Sequence, residues 1–251
     1  MLLNRPHSYN AWSEAPRDQF TRKLHSADSD PVVDAVIITW TGNDAFCAGQ
    51  DLYERQESSG GGYIDSYSQR ISAGYEALKG LGKPLIGALN GVAAGSGFQL
   101  THFCDYVIAH PSVRVGQTEV SVAIPSIFGT WLMGERIGSR ACQLALQGRL
   151  MDAEEATQLG FINEWSSLKR SMLHWKPPAV LPSNRRARSE SRKRPNASLT
   201  RSATQIRLKM PLMTRTRRFP KGNAQLWSAG AVKSGYVRHL RSNKWPQRLS
   251  T

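Results

Sequence analysis

A chain of 251 residues with 40% hydrophobic content is long enough to bury an ordinary core in one large domain, or in one domain and a tail. No stretch reaches the roughly 18 consecutive apolar residues a membrane span needs, and MLLNRPHSYN lacks the apolar centre of a secretory signal, so a cytoplasmic protein with no membrane span is expected. The net charge of +14 is unevenly spread: residues 1–172 hold 14 Lys and Arg against 18 Asp and Glu, a net −4, and residues 173–251 hold 19 against 1, a net +18.

In chain order, residues 34–41, DAVIITWT, are β-branched and apolar enough for a buried parallel strand. ESSGGGY at 57–63 predicts a flexible loop, and residues 64–79, IDSYSQRISAGYEALK, carry apolar side chains at helical spacing. PLIGAL at 84–89 reads as a second buried strand, broken by Asn90 and Gly91 and followed by glycines that precede a short helix-compatible stretch. YVIAH and RVGQ continue as short strands. IPSIFGTWLMGERIG, RACQLALQGR and DAEEATQLGF supply further helices, the last with Asp152 as N-cap and Glu155 three residues on, a capping box in form. Alternation of this kind predicts an α/β fold. From 173 onward, SNRRARSESRKRPNASLTRS and TRTRRFPKGN show no sustained apolar period, the composition of a segment that buries too little to order itself.

AFCAGQD at 45–51 and VAAGSGFQ at 92–99 are two glycine-containing turns, each after a buried strand. Two backbone N–H donors aimed at one carbonyl oxygen form an oxyanion hole, which stabilises an enolate by roughly 2.7–4 kcal/mol per donor. Small residues let a substrate come close enough to use them. The three cysteines, Cys47, Cys104 and Cys142, are far apart and lack CxxC or His partners at ligand spacing, so neither a disulfide framework nor a metal site is expected.

Taken as a set, AFCAGQDLYE, KPLIGALNGVAAGSGFQL, CDYVIA, VGQTEVSVAIPSIFGTWLM and GRLMDAEEATQLGFINE resemble the crotonase, or enoyl-CoA hydratase/isomerase, superfamily over roughly residues 2–166. The resemblance implies a core of repeated ββα units with two sheets roughly perpendicular, extending over 1–168; the composition beyond it predicts a basic, low-complexity, poorly ordered segment at 169–251. It also implies an acyl-CoA thioester as substrate, no separate cofactor, and a homotrimer or dimer of trimers. The oxyanion donors fall on the backbone N–H groups of Gln50 and Ser96. Ala48, Gly49, Asp51, Gly95, Gly97, Phe128 and Gly129 would border the substrate. Phe128 replaces the first glycine of a pair after IP and would narrow the acyl pocket. Asp51 and Arg55 suit either a place near the CoA nucleotide or a solvated helix start.

The acid/base positions discriminate within the family. Hydratases of this type carry two glutamates; here the first is Gln99 and the second matches Glu119. One carboxylate suffices to take a proton from one carbon of a dienolate and return it to another, so double-bond isomerisation is expected, with hydration as the alternative. Gln99 orients a water or carbonyl but cannot ionise. Val115, Val120, Val122 and Ile124 would give Glu119 an apolar setting that raises its pKa. His102 and His110 are assigned no base role and Ser126 no nucleophilic one, because no Gly-x-Ser-x-Gly elbow occurs.

Both ends depart from the family pattern. MLLNRP begins partway through the expected first strand, and the resemblance fades near Leu168, where the composition suits translation in a shifted reading frame. The competing class is a scaffold whose basic tail grips nucleic acid through phosphate contacts, which predicts steep loss of binding with salt.

Overall fold

A computed structural model describes residues 1–52, 61–122, 124 and 126–165. The segment 169–251 and its proposed frame shift lie outside the described residues, as does Arg55. Two sheets organise the described chain. The larger runs β1 (Leu2–Leu3), β2 (Val36–Trp40), β4 (Leu85–Leu89), β6 (Tyr106–Ala109) and β9 (Glu164–Trp165), all parallel. The smaller runs β3 (Ala45–Cys47), β5 (Val92–Ala94), β7 (Arg114–Gly116) and β8 (Met151–Asp152), with only β7 and β8 antiparallel.

Chain order makes the arrangement repetitive. The consecutive pairs β2/β3, β4/β5 and β6/β7 each send their first strand to the larger sheet and their second to the smaller. Helices follow: α1 (Glu14–Ser29) precedes the first pair, α2 (Gly61–Gly80) follows it, and α3 (Ser96–Thr101) follows the second. After the third come a 3-10 turn (Glu119–Val122) and α4 (Ile127–Ile137), then α5 (Arg140–Gln147) and α6 (Ala153–Gln158). These are the repeated ββα units of the expected α/β core. Because β3, β5 and β7 are parallel neighbours, the turns leaving their C-terminal ends lie along one edge, where ligands bind in sheets of this kind.

Burial follows the sequence pattern. All five residues of β4 are buried, as a strand covered on both faces should be. β2 alternates, with Val36, Ile38 and Trp40 in the main core and Ile37 packing on Ile86, Ala88 and Ile108 on the other side of the larger sheet. Trp40 meets Trp12 and Phe46 edge to face at centroid distances of 5.7 and 4.0 Å.

Several elements differ from expectation. α1 escaped the sequence reading because EAPRDQFTRKLHSADS is polar except on a stripe one or two residues wide: Arg17, Phe20 and Leu24 are its buried positions. AFC, taken as part of a turn, is the strand β3, and β5, β8 and β9 are strands of two or three residues with no period to detect. Gly61 to Tyr63, expected in a loop, open α2. The capping box is half formed. Asp152 accepts from the Glu155 N–H at 2.8 Å, but the Glu155 carboxylate turns away to make two 2.6 Å bonds with Arg149. Asp152→Ala should therefore cost about 1 kcal/mol, the usual value of a side-chain cap, seen as a lower midpoint in urea unfolding at unchanged slope.

Candidate active site

The turns after β3 and β5 are pressed together. Gly49 has φ of 97°, a conformation that side chains rarely adopt. A Cβ there would lie 2.9 Å from the Ala94 carbonyl oxygen and 3.5 Å from the Ser96 nitrogen. Gln50 is fixed from both sides by a parallel bridge to Trp12: the Trp12 N–H donates to the Gly49 carbonyl at 2.7 Å, and the Asp51 N–H donates to the Trp12 carbonyl at 2.8 Å. The Gln50 side chain accepts from buried Arg17 at 2.8 Å. Ser96 is the first residue of α3, after the N-cap Gly95, and N–H groups in a first helical turn have no partner within the helix. Its hydroxyl is buried without a hydrogen-bond partner.

The turn after β7 brings Glu119 to the same edge. A Cβ on Gly95 would stand 3.2 Å from Glu119 Oε1, so the carboxyl rests against the second turn. Its two oxygens differ. Oε1 accepts from Gln99 Nε2 at 2.9 Å and from Gln117 Nε2, whereas Oε2 is buried with no hydrogen-bond partner. Burial pushes the Glu119 pKa up, and the donors (its own backbone N–H, Gln117, Gln99 and Ser126) offset part of that rise. Ser126 contributes least and makes no hydrogen bond of ordinary length.

The amides are themselves held. Gln99 accepts from the Tyr75 hydroxyl at 2.7 Å. Gln117 occupies the space above Gly129, where a Cβ would overlap its amide at 2.1 Å. Gly97 plays the matching role beneath the first turn, with a Cβ placed 2.2 Å from the Cys47 carbonyl oxygen.

The profile of the enoyl-CoA hydratase/isomerase family matches residues 1–176. The chain belongs to that family. It is 33% identical over 165 residues to a probable enoyl-CoA hydratase of Rhizobium meliloti, covering 65% of this chain and 63% of the relative. It is 33% identical over 164 residues to the mitochondrial enoyl-CoA hydratase of Pongo abelii, covering 64% and 55%. The chain thus spans about three-fifths of the length of these relatives. A crystal structure of an enoyl-CoA hydratase/isomerase from Mycobacterium paratuberculosis superposes with TM-score 0.67 at 26% identity, covering 81% of this chain and 83% of that one.

As a member of the enoyl-CoA hydratase/isomerase family, the chain keeps the turns its sequence suggested and alters some of their surroundings. Gly49, Gln50, Gly95, Ser96, Gln99 and Glu119 come together at the β3–β5–β7 edge. Ala48 lies one residue earlier, its N–H donated to the Tyr9 carbonyl at 3.1 Å. Asp51 is no solvated helix start: it is buried and paired with Arg5 at 3.1 Å. Arg5 also donates to Ser13 and to the Ala11 carbonyl, so the pair ties the N-terminal segment to the first turn. The apolar ring expected around Glu119 is only partly present. Val120 is 42% exposed, and the carboxyl is enclosed by glutamines and glycine instead. Phe128 packs on Tyr75 at 4.6 Å and on Trp131 at 6.1 Å.

Tyr75 and Gln117 were not singled out from sequence. Gln117 stands two residues before Glu119 within GQTEV, but Tyr75 carries no motif and reaches the site only through the packing of α2. His102 is held as a structural residue, its Nδ1 2.9 Å from the Phe98 carbonyl and its pKa pushed down to about 3 by burial and by Arg136. His110 pairs with Ser112 at 2.7 Å. Among the described residues no helix is long and apolar enough to cross a membrane.

Proposed function

We propose that the chain is an acyl-CoA thioester enzyme that shifts the double bond of a 3-enoyl-CoA to the 2-position. The backbone N–H groups of Gln50 and Ser96 hold the thioester oxygen. Glu119 Oε2 takes the proton from C2, the electron pair spreads into a dienolate with its charge on the thioester oxygen, and the same carboxyl returns the proton to C4, leaving a C2=C3 bond. The observation that carries this reading is the identity of the group beside Glu119: an amide, Gln99, bonded to Oε1 at 2.9 Å. An amide positions and stabilises a carboxylate but does not ionise, so it is no second proton carrier, and an isomerase needs only one.

A second reading is hydration, the activity named for the relatives. Its support is three buried side-chain oxygens of the site without hydrogen-bond partners, the hydroxyls of Ser96 and Ser126 and Glu119 Oε2, since buried polar atoms of this kind suit a bound water. Assay of the purified full chain with matched 3-enoyl and 2-enoyl thioesters separates the two. Conjugated enoyl product should appear from the 3-enoyl substrate; consumption of the 2-enoyl thioester to a hydroxyacyl product, with no isomerisation, would replace the first reading by the second.

With this function go residues 1–168 as the acyl-CoA-binding core, 169–251 as a basic tail, a homotrimer or dimer of trimers, no separate cofactor, and a cytoplasmic location. Particle mass in solution tests the assembly.

A further inference from the structure

We propose that Tyr75 is a positioning residue for Glu119, acting through the amide of Gln99; this rests on the reading of Glu119 as the proton carrier. A glutamine amide has nearly the same shape in its two orientations, so space alone does not decide which end faces the carboxyl. Two partners decide it here. The carboxylate only accepts, and Gln99 Nε2 lies 2.9 Å from its Oε1. On the far side the Tyr75 hydroxyl donates to Gln99 Oε1 at 2.7 Å. A donor on Tyr75 and an acceptor on Glu119 select the same orientation, and the three groups form one directed chain of hydrogen bonds from α2 through α3 to the turn after β7.

The tyrosine ring is itself clamped. It stacks on Phe103 at a centroid distance of 5.1 Å and lies against Phe128 at 4.6 Å. Tyr75 thus touches both Gln99, through its hydroxyl, and Phe128, through its ring. The three side chains form one unit: the phenyl ring of Phe128 packs against the tyrosine that orients the Gln99 amide. The Tyr75–Gln99 hydrogen bonds end on Oε1, which leaves Oε2, buried and without a partner, as the oxygen that gains and loses the proton. Among the described residues, the groups facing the carboxyl are Gln99 from α3, Gln117 from the end of β7, Ser126 before α4 and Gly95 of the second turn. These are neutral, so a change in Glu119 titration reads hydrogen bonding rather than a nearby charge.

The test is Tyr75→Phe, which removes the hydroxyl and keeps the stacked ring, made in the wild-type and in the Gln99→Leu background. Carbon-13 labelling of glutamate carboxyls, with the Glu119 signal assigned from the Glu119→Gln spectrum, follows its titration without needing activity. In the Gln99 protein, Tyr75→Phe should raise the Glu119 titration midpoint, because an amide free to turn over donates less to the carboxylate. It should also lower kcat/KM for isomerisation about fivefold, in line with one hydrogen bond lost, and move the acid limb of its pH profile upward. In the Gln99→Leu protein the same change should move neither quantity. A Glu119 midpoint unaffected by Tyr75→Phe, or moved equally in both backgrounds, overturns the positioning role. If the chain proves to be no isomerase, the carboxyl titration still decides the question.

Discussion

Glu119→Gln should lower the rate of 3-enoyl to 2-enoyl conversion by roughly 10²–10⁴, the usual contribution of a positioned acid/base group, while leaving the affinity for a saturated acyl-CoA nearly unchanged. The substitution is close to isosteric. The new carbonyl can take the place of Oε1 and still accept from Gln99 and Gln117, and the new NH₂ falls where Oε2 stands, so the shape of the site and both backbone donors persist. What is lost is the capacity to hold a proton reversibly. Stability should not fall with activity. Burial places the Glu119 pKa above that of the unfolded chain, so between the unfolded and folded values the native state binds the extra proton and stability decreases as pH rises. Removing the ionisable group removes that loss. Calorimetry with a saturated acyl-CoA, thermal unfolding over a pH series rising from the ordinary carboxylate range, and single-turnover assays measure the three quantities. Undiminished turnover in the variant would exclude Glu119 as the proton carrier.

How much of this was legible in the residues depends on the range of each interaction. β4 and α6 could be read because their signals are local: five consecutive buried apolar residues in one, an N-cap three residues before its partner amide in the other. α1 could not, because a helix that buries little beyond Arg17, Phe20 and Leu24 looks polar in any short window. The two- and three-residue strands exist only by virtue of their neighbours. At the site, Gln50, Ser96, Gln99 and Glu119 were accessible through the resemblance, and the stacking of the three turns follows once successive units place β3, β5 and β7 side by side. Tyr75 was not accessible. Its link to Gln99 spans 24 positions in the chain and joins two different units. The setting of Glu119 was legible only in part for a related reason: burial raises its pKa as expected, but Val120 beside it in sequence is exposed, and Gln99 from α3 and Gln117 from the end of β7 donate to the carboxyl.

Gly97→Ala tests whether the close contact between units is what positions the proposed oxyanion donors, the Gln50 and Ser96 N–H groups. In most helices this change is favourable by roughly 0.5–1 kcal/mol, because alanine loses less backbone freedom on folding. Here the added methyl would meet the Cys47 carbonyl oxygen at 2.2 Å, the Cys47 Cβ at 2.7 Å and its carbonyl carbon at 2.9 Å. These are atoms of β3, whose place is set by pairing of Ala45 with Val92 and Cys47 with Ala93, so relief requires α3 to move away from the sheet. Overpacking of that kind costs about 1–3 kcal/mol or more, which exceeds the helix gain and should lower the melting temperature by several degrees. The displacement falls on Ser96, the neighbouring residue, whose nitrogen lies beside the Gly49 turn. Separation of the two turns should cost about 10²–10³ in kcat, the effect of losing one oxyanion donor. Gly134→Ala is the internal comparison: that glycine is also inside a helix, α4, but a Cβ on it would meet no atom within 4 Å, so the same substitution should stabilise the protein and leave turnover intact. Opposite signs for one chemical change at two helical glycines follow only if the Cys47–Gly97 contact is as tight as the structure places it; a Gly97→Ala protein with wild-type stability and rate would show that β3 yields, and that the donors do not depend on this contact.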